Sequence, residues 1–155
     1  ISNNQFAALN KGKPYPASYH RAHELNVVLN YSWKYWLVGT KWIFATGSPY
    51  TQPDPELGVQ ELFDKERVNA YRLPAYHRLD VSISRKFLWG NTHARAGLNL
   101  INVYNRTNLR SRVYRLQAGD ETTPGQAGGQ AERIIRAYDL ELMHFMPVLF
   151  LHWQF

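Results

Sequence analysis

The feature that most constrains this chain is a period-two alternation of apolar and polar side chains that recurs in several long runs. The clearest run lies within 78–87, where an apolar set alternates with a polar one: Leu79, Val81, Ile83 and Phe87 against Arg78, Asp80, Ser82, Ser84 and Lys86. Successive side chains of a β-strand point to opposite faces, so this pattern predicts strands with one apolar and one polar face. The sequence therefore predicts an all-β fold built from antiparallel strands.

Five runs of this kind are predicted as strands, at about 23–33, 36–47, 76–87, 91–104 and 142–155. Most are longer than an ordinary globular strand and match the length that a tilted strand needs to cross a bilayer. Short turns join the first strand to the second and the third to the fourth. The other two connections, about 48–73 and 105–139, are long, polar and rich in Gly and Pro.

Short turns at one end and long loops at the other are typical of outer-membrane β-barrels. We therefore expect residues 1–155 to be the C-terminal part of such a barrel, with both long loops extracellular and the C-terminus periplasmic. Five strands are too few to close a barrel, since small ones have about eight. The remaining strands are expected from the same protein or from another chain.

Aromatic residues cluster at the predicted periplasmic end of the strands. They form an expected interfacial rim, because aromatic rings with a polar edge suit the headgroup layer: Trp33, Trp36, Phe87, Trp89 and Trp153. Polar residues on the opposite face are expected to line the barrel lumen: Arg78, Asp80, Lys86, Arg95 and Asn99. A soluble β-sandwich or lipocalin-like barrel shares the alternation, but it explains neither the aromatic clustering nor the one-sided loops.

Composition argues against several other classes of protein. The net charge of +6 invites a nucleic-acid interpretation, but the 18 Lys and Arg residues are scattered singly, so no nucleic-acid partner is expected. The chain has no Cys, which excludes disulfides and Cys-based metal sites. It also has no apolar stretch approaching the ~20 residues of a membrane-spanning helix.

No catalytic residue, metal site or cofactor is predicted, and the chain is not expected to be an enzyme. His20 and His23 are spaced three apart, but Pro14 and Pro16 argue against the helix that would place both on one face. Ser82 and Ser84 lack the Gly-x-Ser-x-Gly element of many hydrolases. A mixed-charge loop with aromatic ends is the candidate for extracellular ligand recognition; it includes Tyr50, Asp54, Glu56, Glu61, Asp64, Lys65, Glu66, Arg67 and Tyr71.

Five motifs follow one another along nearly the whole chain. They are Gly12–Leu25, Gly47–Thr51, Leu73–Asp80, Asn102–Asn108 and Pro147–Phe155. In this order they resemble segments of TonB-dependent outer-membrane receptors of the Bacteroidota type. The first is similar to their Gly-Lys, aromatic-Pro, Tyr-Asp-Arg-Arg-His strand entry, with His20 and Ala22 replacing an Asp and an Arg. The other four resemble their loop start, strand entry, Asn-rich element and closing strand.

The resemblance implies a barrel of about 22 strands filled by an N-terminal plug, which imports an extracellular ligand using energy relayed by the TonB complex. Its expected partners are outer-membrane lipid, the plug, TonB acting through the plug, and the barrel-assembly machinery. It also implies a C-terminal assembly signal at Leu151, Trp153 and Phe155. A passive porin, or an assembly or secretion platform, is the alternative, and a soluble β-sandwich binding module is a third. The sequence does not identify the ligand among siderophores, corrinoids, glycans and peptides.

Overall fold

A computed structural model describes residues 2–54, 63–90, 92–118 and 133–154. The strands in chain order are β1 (Asn3–Asn4), β2 (Tyr15–Pro16), β3 (Glu24–Trp33), β4 (Trp36–Ala45), β5 (Pro49–Tyr50), β6 (Tyr71–Arg72), β7 (Tyr76–Trp89), β8 (Thr92–Ile101), β9 (Leu109–Ala118), β10 (Arg133–Glu141) and β11 (Met146–Gln154). A single 3₁₀ turn spans Asn10–Gly12. The prediction of an all-β, antiparallel chain is confirmed.

The main sheet contains five strands in the order β11-β8-β7-β4-β3, so each strand pairs with the next main-sheet strand along the chain. All four pairings are antiparallel. Two-residue turns close two of the hairpins: Trp33 pairs with Trp36, and Trp89 pairs with Thr92. Lys34 and Gly90 have positive φ in these turns, a conformation that the tight reversal requires.

The register places the apolar members of all five strands on one face. Val27 pairs with Trp42, Val38 with Ile83, Ile83 with Leu98 and Leu98 with Leu149. The opposite face carries the polar members, for example Ser82 between Gly39 and Asn99. The alternation in the sequence therefore becomes a two-faced sheet.

The chain divides into two compact units. One unit holds the five-stranded sheet and comprises Arg21–Gly47, Pro74–Asn108 and Glu141–Phe155. The other comprises Ile1–His20, Ser48–Leu73 and Leu109–Leu140, and its described strands form the two-stranded sheets β1-β2, β5-β6 and β9-β10. Few hydrophobic side chains are buried among the described residues: Tyr15, Ala17, Ala45, Leu73 and Ala94.

The predicted bounds differ from the structure at several strand ends; β4, predicted to reach residue 47, ends at Ala45. β7 continues through Leu88 and Trp89, which the sequence assigned to the turn, because Leu88 and Trp89 still pair with His93 and Thr92. β8 ends at Ile101, since Asn102 turns the chain with a φ of 56°. β11 begins at Met146 and not at residue 142.

The segment 105–139, predicted as an extracellular loop, contains regular structure. β9 lies within it, β10 begins within it and ends just beyond it at Glu141, and the two strands form a two-stranded sheet. The segment 48–73 likewise contains the short pair β5-β6 and a bridge between Pro53 and Phe63. Residues 55–62 and 119–132 of these two loops, which include Glu56 and Glu61, lie outside the described part of the chain.

Candidate binding surfaces

The polar face of the main sheet brings together the residues that the sequence grouped there. Arg78, Asp80, Lys86, Arg95 and Asn99 all lie on this face by register. Arg78 donates from Nη2 to Asp80 Oδ2 at 2.8 Å, and the other oxygen of Asp80 accepts the backbone N–H of Asn102 at 3.0 Å. Lys41 stands opposite Asp80 on the next strand. The Arg78–Asp80 pair therefore has a structural role, tying β7 to the chain that leaves β8.

A shallow cavity of about 250 Å³ lies near the middle of the sheet. Its polar lining is contributed mainly by four adjacent strands and consists of Asn30, Lys41, Asp80, Ser82 and Asn99. Gly39 lies between Asn30 and Ser82, and Ser82 donates a hydrogen bond to its carbonyl oxygen at 3.3 Å. This arrangement offers amide, hydroxyl, ammonium and carboxylate groups to a polar partner.

Towards the two-residue turns the polar face becomes cationic. Lys86 pairs with Arg95, and Arg95 pairs with His152. These three residues, with His93 and Gln154, line a second cavity of about 320 Å³ that contains no acidic side chain among its lining residues. The charge on this face therefore changes along the strands, from a balanced region around Asp80 to an uncompensated positive one.

The apolar face carries the predicted aromatic rim at its turn-side end. Trp33 and Trp36 pair across the β3–β4 turn, and Phe87 pairs with Ala94. Trp153 also pairs with Ala94, and its indole N–H donates to Thr92 Oγ1 at 3.0 Å. Trp89 lies in β7, but its side chain falls outside the described part, as does Phe155, the third residue of the predicted assembly signal.

A second surface, in the other unit, joins the candidate recognition loop to the β9–β10 hairpin. Tyr50 and Tyr71 lie with ring centroids 5.8 Å apart. Arg112 of β9 donates to the Tyr50 hydroxyl at 3.2 Å and places its guanidinium 5.6 Å from the centre of that ring. The sequence pattern points to Tyr50 and Tyr71 as candidates for ligand recognition, but not to Arg112. Arg112 is 62 residues from Tyr50 along the chain, so no local pattern links the two.

Arg112 is held by a bidentate ion pair with Asp139 across the hairpin. Its Nε and Nη2 donate to the two carboxylate oxygens at 2.6 and 2.8 Å. The guanidinium holds the pKa of Asp139 below its ordinary value, and the hydrogen bond to Asp139 raises the pKa of Arg112. Burial raises the pKa of the neighbouring Tyr114. The hairpin thus presents aromatic rings beside an ion pair of fixed geometry.

The segment Asn102–Asn108 was noted in the sequence for its resemblance, and the structure gives the physical function of its polar residues. Asn102 is fully buried, donates from Nδ2 to the carbonyl oxygens of Arg106 and Met143, and accepts the backbone N–H of Arg106. Asn108 bonds both backbone groups of His77, as a neighbouring strand residue would. Asn105 accepts the backbone N–H of Phe145. These side chains order the end of the sheet, and the amides of Asn102 and Asn108 are buried in doing so.

The structure gives side-chain contacts for two of the residues considered for metal binding or catalysis, His20 and Ser82. His20 Nδ1 lies 3.1 Å from Arg72 Nη2, whereas His23 belongs to the other unit. Among the described residues no group of three or more His, Asp or Glu side chains is placed to hold a metal ion. Ser84 is buried within the sheet, and Ser82 is bonded to the backbone of β4.

Comparison of the chain with protein-family models, with curated proteins and with solved structures found no match. The likeness to TonB-dependent receptors is therefore carried by the motifs in the sequence. In the described ranges no helix combines the length and apolarity needed to cross a bilayer.

Proposed function

We propose that this chain supplies closing strands of a TonB-dependent outer-membrane receptor, which binds an extracellular ligand and imports it through a plugged barrel. The observation that carries the proposal is the two-faced sheet. Its apolar face has large exposed side chains on β3, β4, β7 and β11, and partly exposed ones on β8, while its polar face carries charged and amide side chains. A sheet of this kind fits between lipid on one side and a polar lumen on the other.

The exposure of large apolar side chains supports a lipid-facing role. Leu149 is 82% exposed, Leu29 66% and Leu151 62%. The main sheet is the only sheet among the described residues of its unit, so no second layer covers this face within that unit. Contiguous apolar surfaces of this extent mark contact with a membrane or another protein. All five strands place their apolar side chains on this one face. Lipid is therefore the partner that suits the whole face.

The edges of the sheet support a larger barrel. β3 and β11 are the outermost strands, and each pairs on one side only within the main sheet. In a bilayer every unpaired backbone group costs several kcal/mol, so open edges are not tolerated there. We therefore propose that further strands, from the same protein or another chain, pair with both edges and close the barrel.

The two ends of the strands suit different compartments. The turn-side end has two-residue connections and aromatic side chains. One of these, Trp153, donates a hydrogen bond to Thr92. The other end leads into connections that contain the hairpins β5-β6 and β9-β10. In the proposal these hairpins are extracellular and contact the ligand, and the polar face of the main sheet contacts the plug through which TonB acts.

Site-directed labelling of the full-length protein on whole cells tests the membrane orientation. Single cysteines at Lys65, in the loop that precedes β6, and at Lys34, in the β3–β4 turn, are exposed to an impermeant thiol reagent. We expect Lys65→Cys to react on intact cells and Lys34→Cys to react only after the outer membrane is permeabilised. Reaction at Lys34→Cys alone would contradict the orientation, and equal reaction of both would contradict membrane insertion.

Ion conductance distinguishes a plugged receptor from the passive porin. The purified full-length protein is inserted into a planar bilayer in potassium chloride, and the single-channel current is recorded. A plug that fills the lumen should leave the barrel closed to ions. A steady open-channel current from the intact protein would favour the porin instead.

A further inference from the structure

The apolar face of the main sheet contains a groove at its turn-side end. The groove has a volume of about 250 Å³ and is lined by Tyr31, Trp33, Trp36, Val38 and Ile83. Val38 pairs with both Tyr31 and Ile83, so the groove runs across three adjacent strands. Its lining of aliphatic and aromatic side chains suits a hydrocarbon chain.

Two cations lie beside this groove, each on an indole ring that lines it. The Lys34 ammonium lies 5.3 Å from the centre of the Trp33 ring, and the Arg85 guanidinium carbon lies 5.4 Å from the centre of the Trp36 ring. Register pairs Trp33 with Trp36, and Trp36 with Arg85. Arg85 thus interrupts the apolar face at the point where the aromatic rim begins.

No acidic side chain is near enough in the sequence to neutralise these cations locally. The chain has no Asp or Glu between Leu25 and Pro53, and none between Val81 and Gly119. The described acidic residues of the sheet, Glu24 and Asp80, pair with Ala45 and Lys41 on the loop side of the groove. Neither Lys34 nor Arg85 makes an ion pair with a described residue. The described part of the chain therefore supplies no charged partner that would compete with a bound anion at these two cations.

We infer that the groove and its two cations form a binding site for an anionic phospholipid. The acyl chain lies along Tyr31, Val38 and Ile83, and the phosphate is held at the level of Lys34 and Arg85. Each cation keeps its charge while it lies on the face of an indole ring. It can therefore also attract a phosphate in the headgroup layer. This inference rests on the proposed membrane location of the sheet.

The opposite face of the same strands provides a matched control. Lys86 follows Arg85 directly, and Arg95 pairs with Lys86, yet both belong to the polar face. They have the same charge and lie at the same end of the sheet, but they do not border the groove. A general effect of net charge on lipid affinity would therefore be the same for Arg95 as for Arg85.

Quenching of tryptophan fluorescence by brominated lipids tests the site. Full-length protein is reconstituted into phosphatidylcholine vesicles in which a tenth of the lipid is replaced by brominated phosphatidylglycerol or by brominated phosphatidylcholine. We expect the anionic lipid to quench about twice as strongly as the neutral one at low salt. This preference should disappear in a Lys34→Gln, Arg85→Gln double variant and in high salt, which screens the attraction.

The control double variant Lys86→Gln, Arg95→Gln removes the same two charges and should keep the preference, with the same ratio of the two quenching efficiencies as the unmodified protein. An equal loss in both double variants, or equal quenching by the two lipids in the unmodified protein, would overturn the site. If the sheet does not lie in a membrane, the result is different, because neither brominated lipid would then quench the tryptophans of the apolar face.

Discussion

At the scale of single residues, a few side chains determine how the sheet ends and how closely its strands approach. Asn102 adopts the left-handed conformation, with a φ of 56°, and is fully buried. Asn tolerates this conformation better than most residues, and its amide bonds the chain at both Arg106 and Met143. Gly97 lies under the ring of Phe150, its partner on β11. Both residues are therefore specified by local geometry and not by contact with a ligand.

Replacing Asn102 should destabilise the protein in two separable ways. Asn102→Ala removes the side-chain hydrogen bonds and keeps the unfavourable backbone conformation, so we expect a loss of about 1–3 kcal/mol in the free energy of unfolding. Asn102→Gly loses the same bonds but relieves the backbone, so it should be less damaging. Urea unfolding of the full-length protein measures both. Equal unfolding free energies for Asn102→Ala and the unmodified protein would contradict this structural role.

The two glycines of the polar face should respond differently to the same substitution. A Cβ at Gly97 would lie 2.5 Å from the Phe150 ring and 2.7 Å from the backbone oxygen of Ile83, which cannot move freely. A Cβ at Gly39 would meet only the ends of the Ser82 and Asn30 side chains, which can rotate away. Gly97→Ala is therefore expected to cost about 1–3 kcal/mol, and Gly39→Ala clearly less. Thermal unfolding of the two variants, measured side by side, compares their losses of stability. A larger loss in Gly39→Ala than in Gly97→Ala would contradict the spacing between strands on which this prediction depends.

At the scale of elements, the sequence predicts the main sheet well because its signal is local. Alternation in β7 identifies both the strand and its faces from neighbouring residues alone. The hairpin of β9 and β10 was missed for the opposite reason. Leu109–Ala118 carries arginines at 110, 112 and 115 without an alternating apolar set, so it has no apolar face to detect.

The candidate recognition surface shows the same limit. Tyr50 and Tyr71 were noted as residues of one loop, but their contact with Arg112 depends on pairing over a long sequence separation. Likewise, the buried position of Asn102 depends on carbonyl groups as distant as Met143. Composition and periodicity contain no information on such distant partners. The segment Asn102–Asn108 was noted only for its resemblance to a motif, and its hydrogen-bonding role was not predicted.

The β9–β10 hairpin should lose protection in acid. Because Arg112 lowers the pKa of Asp139 in the folded state, the ion pair stabilises the hairpin fully above the ordinary Asp pKa of 3.8. That stabilisation is lost as the pH falls through the lowered folded value, when Asp139 becomes protonated. Hydrogen exchange of residues 109–118, corrected for the intrinsic pH dependence of exchange, should therefore show weaker protection at low pH.

Asp139→Asn is the matched variant for this effect. It should weaken the hairpin at neutral pH by about 0.5–1 kcal/mol, the usual range for a partly exposed ion pair, and remove the acid-dependent step. Protection that is independent of pH in the unmodified protein, or an unchanged acid step in Asp139→Asn, would show that this pair does not hold the hairpin together.

At the scale of the whole molecule, the arrangement of charge supports the proposed membrane orientation. The acidic residues belong to the loops and the loop-side ends of the strands, and the turn-side half of the main sheet carries only basic charges. Aromatic rings occupy the apolar face at that same end. In the proposed orientation, such a sheet would place its basic turn-side end among anionic headgroups.

The assignment of residues to the two faces of β7 can be tested directly. Neighbouring residues of this strand should differ sharply in their tolerance of a charged side chain. Val81 pairs with Thr40 and Leu100 on the apolar face, whereas Ser82 pairs with Gly39 and Asn99 on the polar face. An Arg that faces lipid near the middle of the bilayer costs about 2–4 kcal/mol, but an Arg that faces a lumen meets water and polar groups. Val81→Arg should therefore fold poorly into bilayers, while Ser82→Arg should be accepted.

The two variants of the full-length protein are compared in outer-membrane fractions by the heat-dependent shift in gel mobility that folded barrels show. Val81→Leu serves as the control for disturbed packing at the same position, and it should retain the folded band. Similar amounts of folded protein in Val81→Arg and Ser82→Arg would mean that both faces meet the same environment. Loss of folding in Ser82→Arg alone would reverse the assignment, placing the apolar face inside a core and the polar face outside, as a soluble β-sandwich requires.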